Sequence, residues 1–211
     1  MPKRSYHHGN LRGALIAAAL KEIAQSGPEA FSLREVARRA GVSAPAVYRH
    51  FKAKDDLLAA VAAECLDRCN ATIDAAIAKA PDDPLERFRA TGIAYVQFAV
   101  AHPEHFRVMS LPGLVANLPA EHRESWHERD HAERVSLLRG QAEGTIADIP
   151  YDAMMLAAHS ITHGLAMMII EGQLGDVDVA RATELAIEVT DVLGDGLRPR
   201  AKPTKPRRRT R

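Results

Sequence analysis

Along nearly the whole chain, apolar residues recur at the three-to-four-residue spacing that lines one face of a helix. No segment alternates Val, Ile, Thr or Tyr with polar residues as a half-buried strand would. The pattern predicts an all-α protein of about nine helices. Leu11, Leu15, Ala18, Ala19 and Ile23 form the first stripe, with Asn10 placed to cap it and Gly27-Pro28 to stop it. Ser32 followed by Glu35 is a capping-box spacing, so a short second helix is expected over Leu33–Ala40, ended by Gly41 in a left-handed conformation. Ser43 is placed to cap a third helix over 44–51. Pro45 is tolerated in its first turn because the amide it lacks would have had no helical partner.

A fourth helix, from about Asp55, carries Leu57, Leu58, Val61, Cys65, Cys69, Ile73 and Ile77 on one long face, which predicts a connecting element closed by the PDDP at 81–84. A fifth follows with Leu85, Phe88, Tyr95 and Val96 and ends before His102-Pro103; a sixth is short, 103–110. After a loop at 111–120 come a polar helix at 120–143 and two final helices at 151–173 and 178–193. The first of this last pair is apolar nearly all round and must be covered on all sides. A second copy of the chain is the natural cover, the two C-terminal helices of each copy making a four-helix interface, so a homodimer is expected. Its uncharged run, 153–170, falls short of the ~20 apolar residues of a membrane span and contains His159, Ser160, Thr162 and His163, so no membrane partner is expected.

Charge divides the chain more sharply than its net +1 implies: residues 1–58 carry +5, residues 59–196 carry −12 and residues 197–211 carry +8. A basic end on an acidic body is the footprint of a protein that presents one end to a polyanion. The tail, 197–211, is rich in Pro, Lys and Arg and is expected to be disordered, serving either solubility or non-specific association with DNA. Cys65 and Cys69, four apart on one helix, fit buried residues in a reducing cytoplasm. The N-terminus has basic residues but no apolar export segment, so a cytoplasmic location is expected.

Two short helices joined by a turn containing glycine meet the local requirement of a helix-turn-helix, whose second helix enters the major groove by its N-terminal residues. Val36, Ala37, Ala40, Val42, Val47 and Phe51 would hold the pair together. Ala44, Pro45 and Ala46 would let the backbone approach base edges, and Tyr48, Arg49, His50 and Lys54 would reach phosphates, with guanine open to Arg49. Ser32, Arg34 and Ser43 complete the expected contact set at the two helix starts, and Arg4 adds to it from a basic arm at 1–9. The stretch FSLREVARRAGVSAPAVYRHFKAKDDLL resembles the DNA-binding domain of TetR/AcrR transcriptional regulators over about residues 10–60. The agreement runs through Ser32, Ala37, Gly41, Val42, Ser43, Tyr48, Phe51, Lys54 and Leu57. The resemblance implies a DNA-binding domain at 10–54 and a regulatory and dimerisation domain at 55–196. It further implies a homodimer on a palindromic double-stranded operator, usually as a repressor, with a small-molecule ligand changing the spacing of the recognition helices.

HPEHFRVM and HSITHGLAMMIIEG are similar to the regulatory domain of the subgroup named for a Trp and a His-Gly pair; here the pair is His163-Gly164, and His159 stands where relatives carry Trp. His127/His131 and His159/His163 each lie one turn apart. The two pairs are read in three ways: ligands for zinc or a similar ion, polar lining of an organic-ligand pocket, or ordinary core and interface residues. Phe106, Met109, Trp126, Met155 and Met167 are expected as pocket walls or as plain core. No cofactor is expected beyond an unidentified small-molecule effector. An enzyme is the rival class, and the chain has no Gly-rich phosphate loop, G-x-S-x-G elbow or H-E-x-x-H pair to support one. A non-specific, nucleoid-type DNA-binding protein is the other alternative.

Overall fold

The computed structural model describes residues 11–112 and 118–199. The basic arm with Arg4, the Asn10 cap and the tail from residue 200 lie outside them. The described residues form nine helices and no strand: α1 Leu11–Ala30, α2 Leu33–Ala40, α3 Ala44–Tyr48, α4 Lys54–Ile77, α5 Pro84–Ala101, α6 Pro103–Met109, α7 Ala120–Ala142, α8 Tyr151–Ile170 and α9 Val179–Leu197.

Local sequence accounts for most helix ends. Gly27 leaves helical geometry with φ 79° where Gly-Pro forecast the stop, although one more helical turn follows before Phe31. Half of the capping box forms. The Glu35 amide donates to Ser32 Oγ at 3.2 Å, while the Glu35 carboxylate turns to Arg38, whose Nε lies 2.9 and 3.0 Å from its two oxygens. Helix α3 is shorter than the forecast 44–51. The amides of His50 and Phe51 both donate to the Val47 carbonyl at 2.9 Å, so the chain tightens after Tyr48. Ser43 caps it through its carbonyl, which accepts from the Ala46 amide at 2.9 Å, and not through its hydroxyl. Asp56 accepts from the amides of Lys52 and Ala53 at 3.1 Å and starts α4; Asp83 and Asp178 do the same for α5 and α9 through Glu86 and Arg181.

Helices α1 to α3 fold over the first half of α4. Leu15, Val36, Val47, Leu57 and Val61 are fully buried in a core that continues along α4 to Leu66 and takes in Val108 of α6 and Leu118. Farther along α4, Cys69 and Ile73 pack instead on Ala94 and Phe98 of α5. Both cysteines are free and buried, and burial pushes their thiols up to about 12, which suits packing and not reactivity.

Helix α5 is the axis of the larger part, packing on α4, α7, α8 and α9. Gly92 lets three helices meet: a Cβ there would stand 3.0 Å from the Thr162 methyl and 3.3 Å from that of Thr190. Helix α9 runs past the forecast 193 because Leu197 is buried with Leu85 and Phe88 and its carbonyl accepts from the Ala147 amide at 2.7 Å. Helix α8, with 20 residues, is long and apolar enough by length and composition to cross a membrane, which corrects the expectation that it falls short. In this fold Leu165, Ala166 and Ile169 pack on α5 and α9. Its other side leaves Leu156 and Met168 exposed, and Val179, Ile187 and Val192 of α9 are exposed as well.

Candidate nucleic-acid interface and effector cleft

The helix pair is set by a Schellman turn. Gly41 sits at φ 69°, ψ 30°, its amide donates to the Arg38 carbonyl at 3.2 Å, and the Val42 amide donates to the Ala37 carbonyl at 2.9 Å. Val47 and Phe51 then anchor α3 in the core. Anchoring that side turns Pro45, Tyr48, Arg49 and His50 outward, with Ser43 exposed at the helix start and Ala44 half-buried. Ala46 is 5% exposed and faces the core, which corrects its placement on the outer surface: with Val47 also buried, a five-residue helix turns both side chains inward. Ser32 and Arg34 are exposed at the start of α2.

The basic side chains fall into two groups. Arg39 is tied to Glu22, Arg38 to Glu35, and the Arg12 guanidinium lies 5.4 Å from the Phe51 ring centroid. Lys54 belongs with them: its ammonium donates to the Glu29 carbonyl at 2.8 Å and lies 4.8 Å from the Phe31 ring centroid, so it ties α4 to the α1–α2 connection. Among the described residues, Arg34, Arg49 and Lys52 are exposed and form no ion pair. Lys52 escaped the sequence reading; its signal is a basic residue directly after the last turned residue of α3.

The residues expected to form the pocket do not gather in one place. Phe106 is fully buried with Ala99 and Ala166; Met167 packs on that group, and Met109 on the two cores that share α4. His163 Nδ1 and the Tyr95 hydroxyl share a hydrogen bond of 3.0 Å, and the His163 ring stacks on His159 with centroids 5.2 Å apart. Burial first, and the neighbouring His159 second, hold His163 below the usual histidine value. His127 and His131 are exposed on α7, the two histidine pairs do not converge, and no group of three or more His, Cys, Asp or Glu among the described residues is placed to hold a metal. That corrects the metal reading of His127, His131, His159 and His163. The i, i+4 spacing set each pair on one face without saying what that face meets.

A cleft of about 390 Å³ opens between α4, α5 and α7. Asn70, Ile73, Asp74 and Ile77 line it from α4, Arg87 and Thr91 from α5, and Met155 from α8. Helix α7 supplies Trp126, Arg129, Asp130, Glu133 and Ser136. Only Trp126 and Met155 were expected there. The others lie on helices whose polar residues read as solvent-facing, though 126, 129/130, 133 and 136 follow one another on a single face of α7.

Comparison with known proteins accords with this architecture. Residues 15–61 match the profile of bacterial regulatory proteins of the tetR family, and residues 88–193 match the tetracyclin repressor-like C-terminal domain. A protein of unknown function from Rhodococcus sp. RHA1 has a similar structure, with TM-score 0.72 and 31% identity, covering 93% of this chain and 100% of that one. A TetR family transcription regulator from Marinobacter aquaeolei VT8 shares the fold at TM-score 0.74 and 20% identity, over 90% of this chain and 96% of that one. The HTH-type transcriptional activator FasR of Mycolicibacterium smegmatis is 32% identical over 98 residues, so the match spans 46% of this chain and 44% of the relative. Both parts of the fold thus have matching profiles, and the chain, a DNA-binding transcriptional regulator and not an enzyme, belongs to the tetR family of bacterial regulatory proteins.

Proposed function

We propose that the protein is a ligand-responsive repressor that binds a palindromic operator as a homodimer in the cytoplasm, with the cleft between α4, α5 and α7 taking a small-molecule effector. The observation that carries this reading is the outward face at the end of α3: Tyr48 and, in the turn that follows it, Arg49 and His50 are exposed, while Val47 and Phe51 lock the other side into the core. Such a face suits phosphate and base-edge contacts in a major groove. The exposed apolar side chains of α8 and α9 support dimerisation through those helices. Two recognition helices then have to sit about 34–36 Å apart to occupy successive grooves.

Helix α4 links cleft and interface. Its 24 residues span about 36 Å, with Leu57 to Leu66 in the DNA-binding core and Asn70 to Ile77 on the cleft wall. An effector that favours a different tilt of α4 changes the spacing between the two α3 helices and releases DNA by its differential affinity for that state.

The test is titration of the purified protein against its own promoter DNA with random-sequence competitor. Protection of two half-sites about 10 base pairs apart, resistant to competitor, is the expected result. Equal competition by random DNA would return the protein to the nucleoid-type alternative. The sign of regulation needs a reporter, since the FasR relative is an activator: loss of the gene raises expression from a repressed promoter and lowers it from an activated one.

A further inference from the structure

The chemistry of the cleft wall selects among effectors, an inference that rests on reading the cleft as the effector site. We propose that the cleft binds an amphiphilic organic cation, its charged nitrogen beside Glu133 and its apolar body against Trp126, Ile73, Ile77 and Met155. The argument is one of exclusion by existing pairs. Three carboxylates and two guanidiniums line the space. Arg129 is held by Asp74, with Nη1 3.1 Å from Oδ2 and Nη2 2.8 Å from Oδ1. Arg87 is held by Asp82, with Nη2 3.1 Å from Oδ1. Asp130 Oδ1 accepts from the Tyr151 hydroxyl at 2.8 Å.

Of these five charged groups, Glu133 alone forms no hydrogen bond or ion pair with a described residue. Burial holds its carboxyl above the ordinary range, and Asp130 adds to that while the committed Arg129 opposes it. A cation from outside supplies the missing counter-charge. An anionic amphiphile would instead have to break an existing ion pair to find one and would meet Glu133 besides. Trp126, two turns from Glu133 on the same face of α7, offers a half-exposed indole for an ammonium or an aromatic ring. Arg87 Nε is buried without a partner and leaves one donor for an oxygen on the bound molecule.

Trp126 is the protein's single tryptophan, so its fluorescence reports on the cleft directly. The full chain is titrated with decyltrimethylammonium, 1-decanol and decanoate, which share an alkyl chain and differ in charge. The expected order is cation tightest, decanol weaker by about tenfold and decanoate weaker still. Glu133→Gln should weaken the cation about tenfold and leave decanol unchanged, with the thermal midpoint showing that the variant is folded. Decanoate binding tighter than the cation, or full cation affinity in Glu133→Gln, overturns the cationic assignment while leaving the cleft as an effector site. No saturable quenching by any of the three overturns both.

Discussion

Arg39 on α2 closes on Glu22 of α1, its Nε 3.0 Å and its Nη2 2.7 Å from the same carboxylate oxygen, and Nη2 also reaches Gln25 Oε1 at 2.8 Å. Glu22 is one of only three buried polar or charged residues among those described. The pair thus fastens the first helix of the helix-turn-helix to the body beneath it. Arg39→Ala leaves a buried carboxylate with only the Ser26 hydroxyl, 3.4 Å from Oε1, as donor and should cost about 2 kcal/mol in urea unfolding. Arg38→Ala breaks an exposed pair on the same helix and should leave the unfolding midpoint nearly unchanged, because solvent screens that pair. Equal effects of the two would show that Glu22 finds water or another donor.

Arg49 and Lys52 are free of ion pairs and exposed beside α3. Arg49→Ala and Lys52→Ala should each weaken binding to operator and to random DNA in the same proportion, lowering the slope of log affinity against log salt by about 1. A loss confined to one operator position would instead assign Arg49 to direct base readout.

Gly41 is a conformational requirement. At φ 69° an added Cβ is strained, so Gly41→Ala should destabilise the protein by about 1 kcal/mol, read as a shifted denaturation midpoint with an unchanged slope. A neutral result would mean that the turn relaxes to negative φ.

Val192 is 75% exposed on α9. If that face is covered by a second copy, Val192→Asp buries a charge at the interface and should weaken self-association by at least about 2 kcal/mol in sedimentation equilibrium. An unchanged dimer constant would move the interface elsewhere.

His163 and His105 are both held below the usual histidine value, mainly by burial. The unfolded chain therefore binds protons that the folded one refuses, and stability falls as pH drops through the ordinary histidine value of about 6.5 toward the lowered one. His163→Gln keeps a hydrogen-bonding group beside the Tyr95 hydroxyl and removes one of the two titrations. The fall in thermal midpoint between pH 8 and pH 5 should be smaller in the variant. An identical fall would assign the dependence to groups other than His163, His105 among them.

What could be read from the sequence was whatever neighbours in the chain decide. Ser32 and Glu35 fix where α2 starts, Gly41 fixes where it stops, and the stripe from Leu57 to Ile77 announces a long connecting helix, because capping, handedness and helical period act over a few residues. Rotation of a very short helix is different. In α3 the inward turn of Ala46 is set by how Val47 and Phe51 seat in the core shared by α1, α2 and α4, which five residues of pattern cannot specify. The cleft was hidden for a related reason. Glu133 and Asp130 look like a solvated face until α4 and α5 are placed opposite them, and the His159/His163 pair looked open to a metal until Tyr95 and Phe106 were found against it.

Because α4 is the floor of one core and a wall of the next, the two halves of this protein are not interchangeable cassettes. A hybrid joined at Ala53 would graft a helix-turn-helix onto a foreign floor, losing its fit to Leu57, Val61 and Leu66. A join just past Leu66 would carry that floor along and leave Cys69 and Ile73 with their own partners on α5. Recombination that is to yield a working sensor with new DNA specificity therefore has to cut within a continuous helix, between two side chains one turn apart.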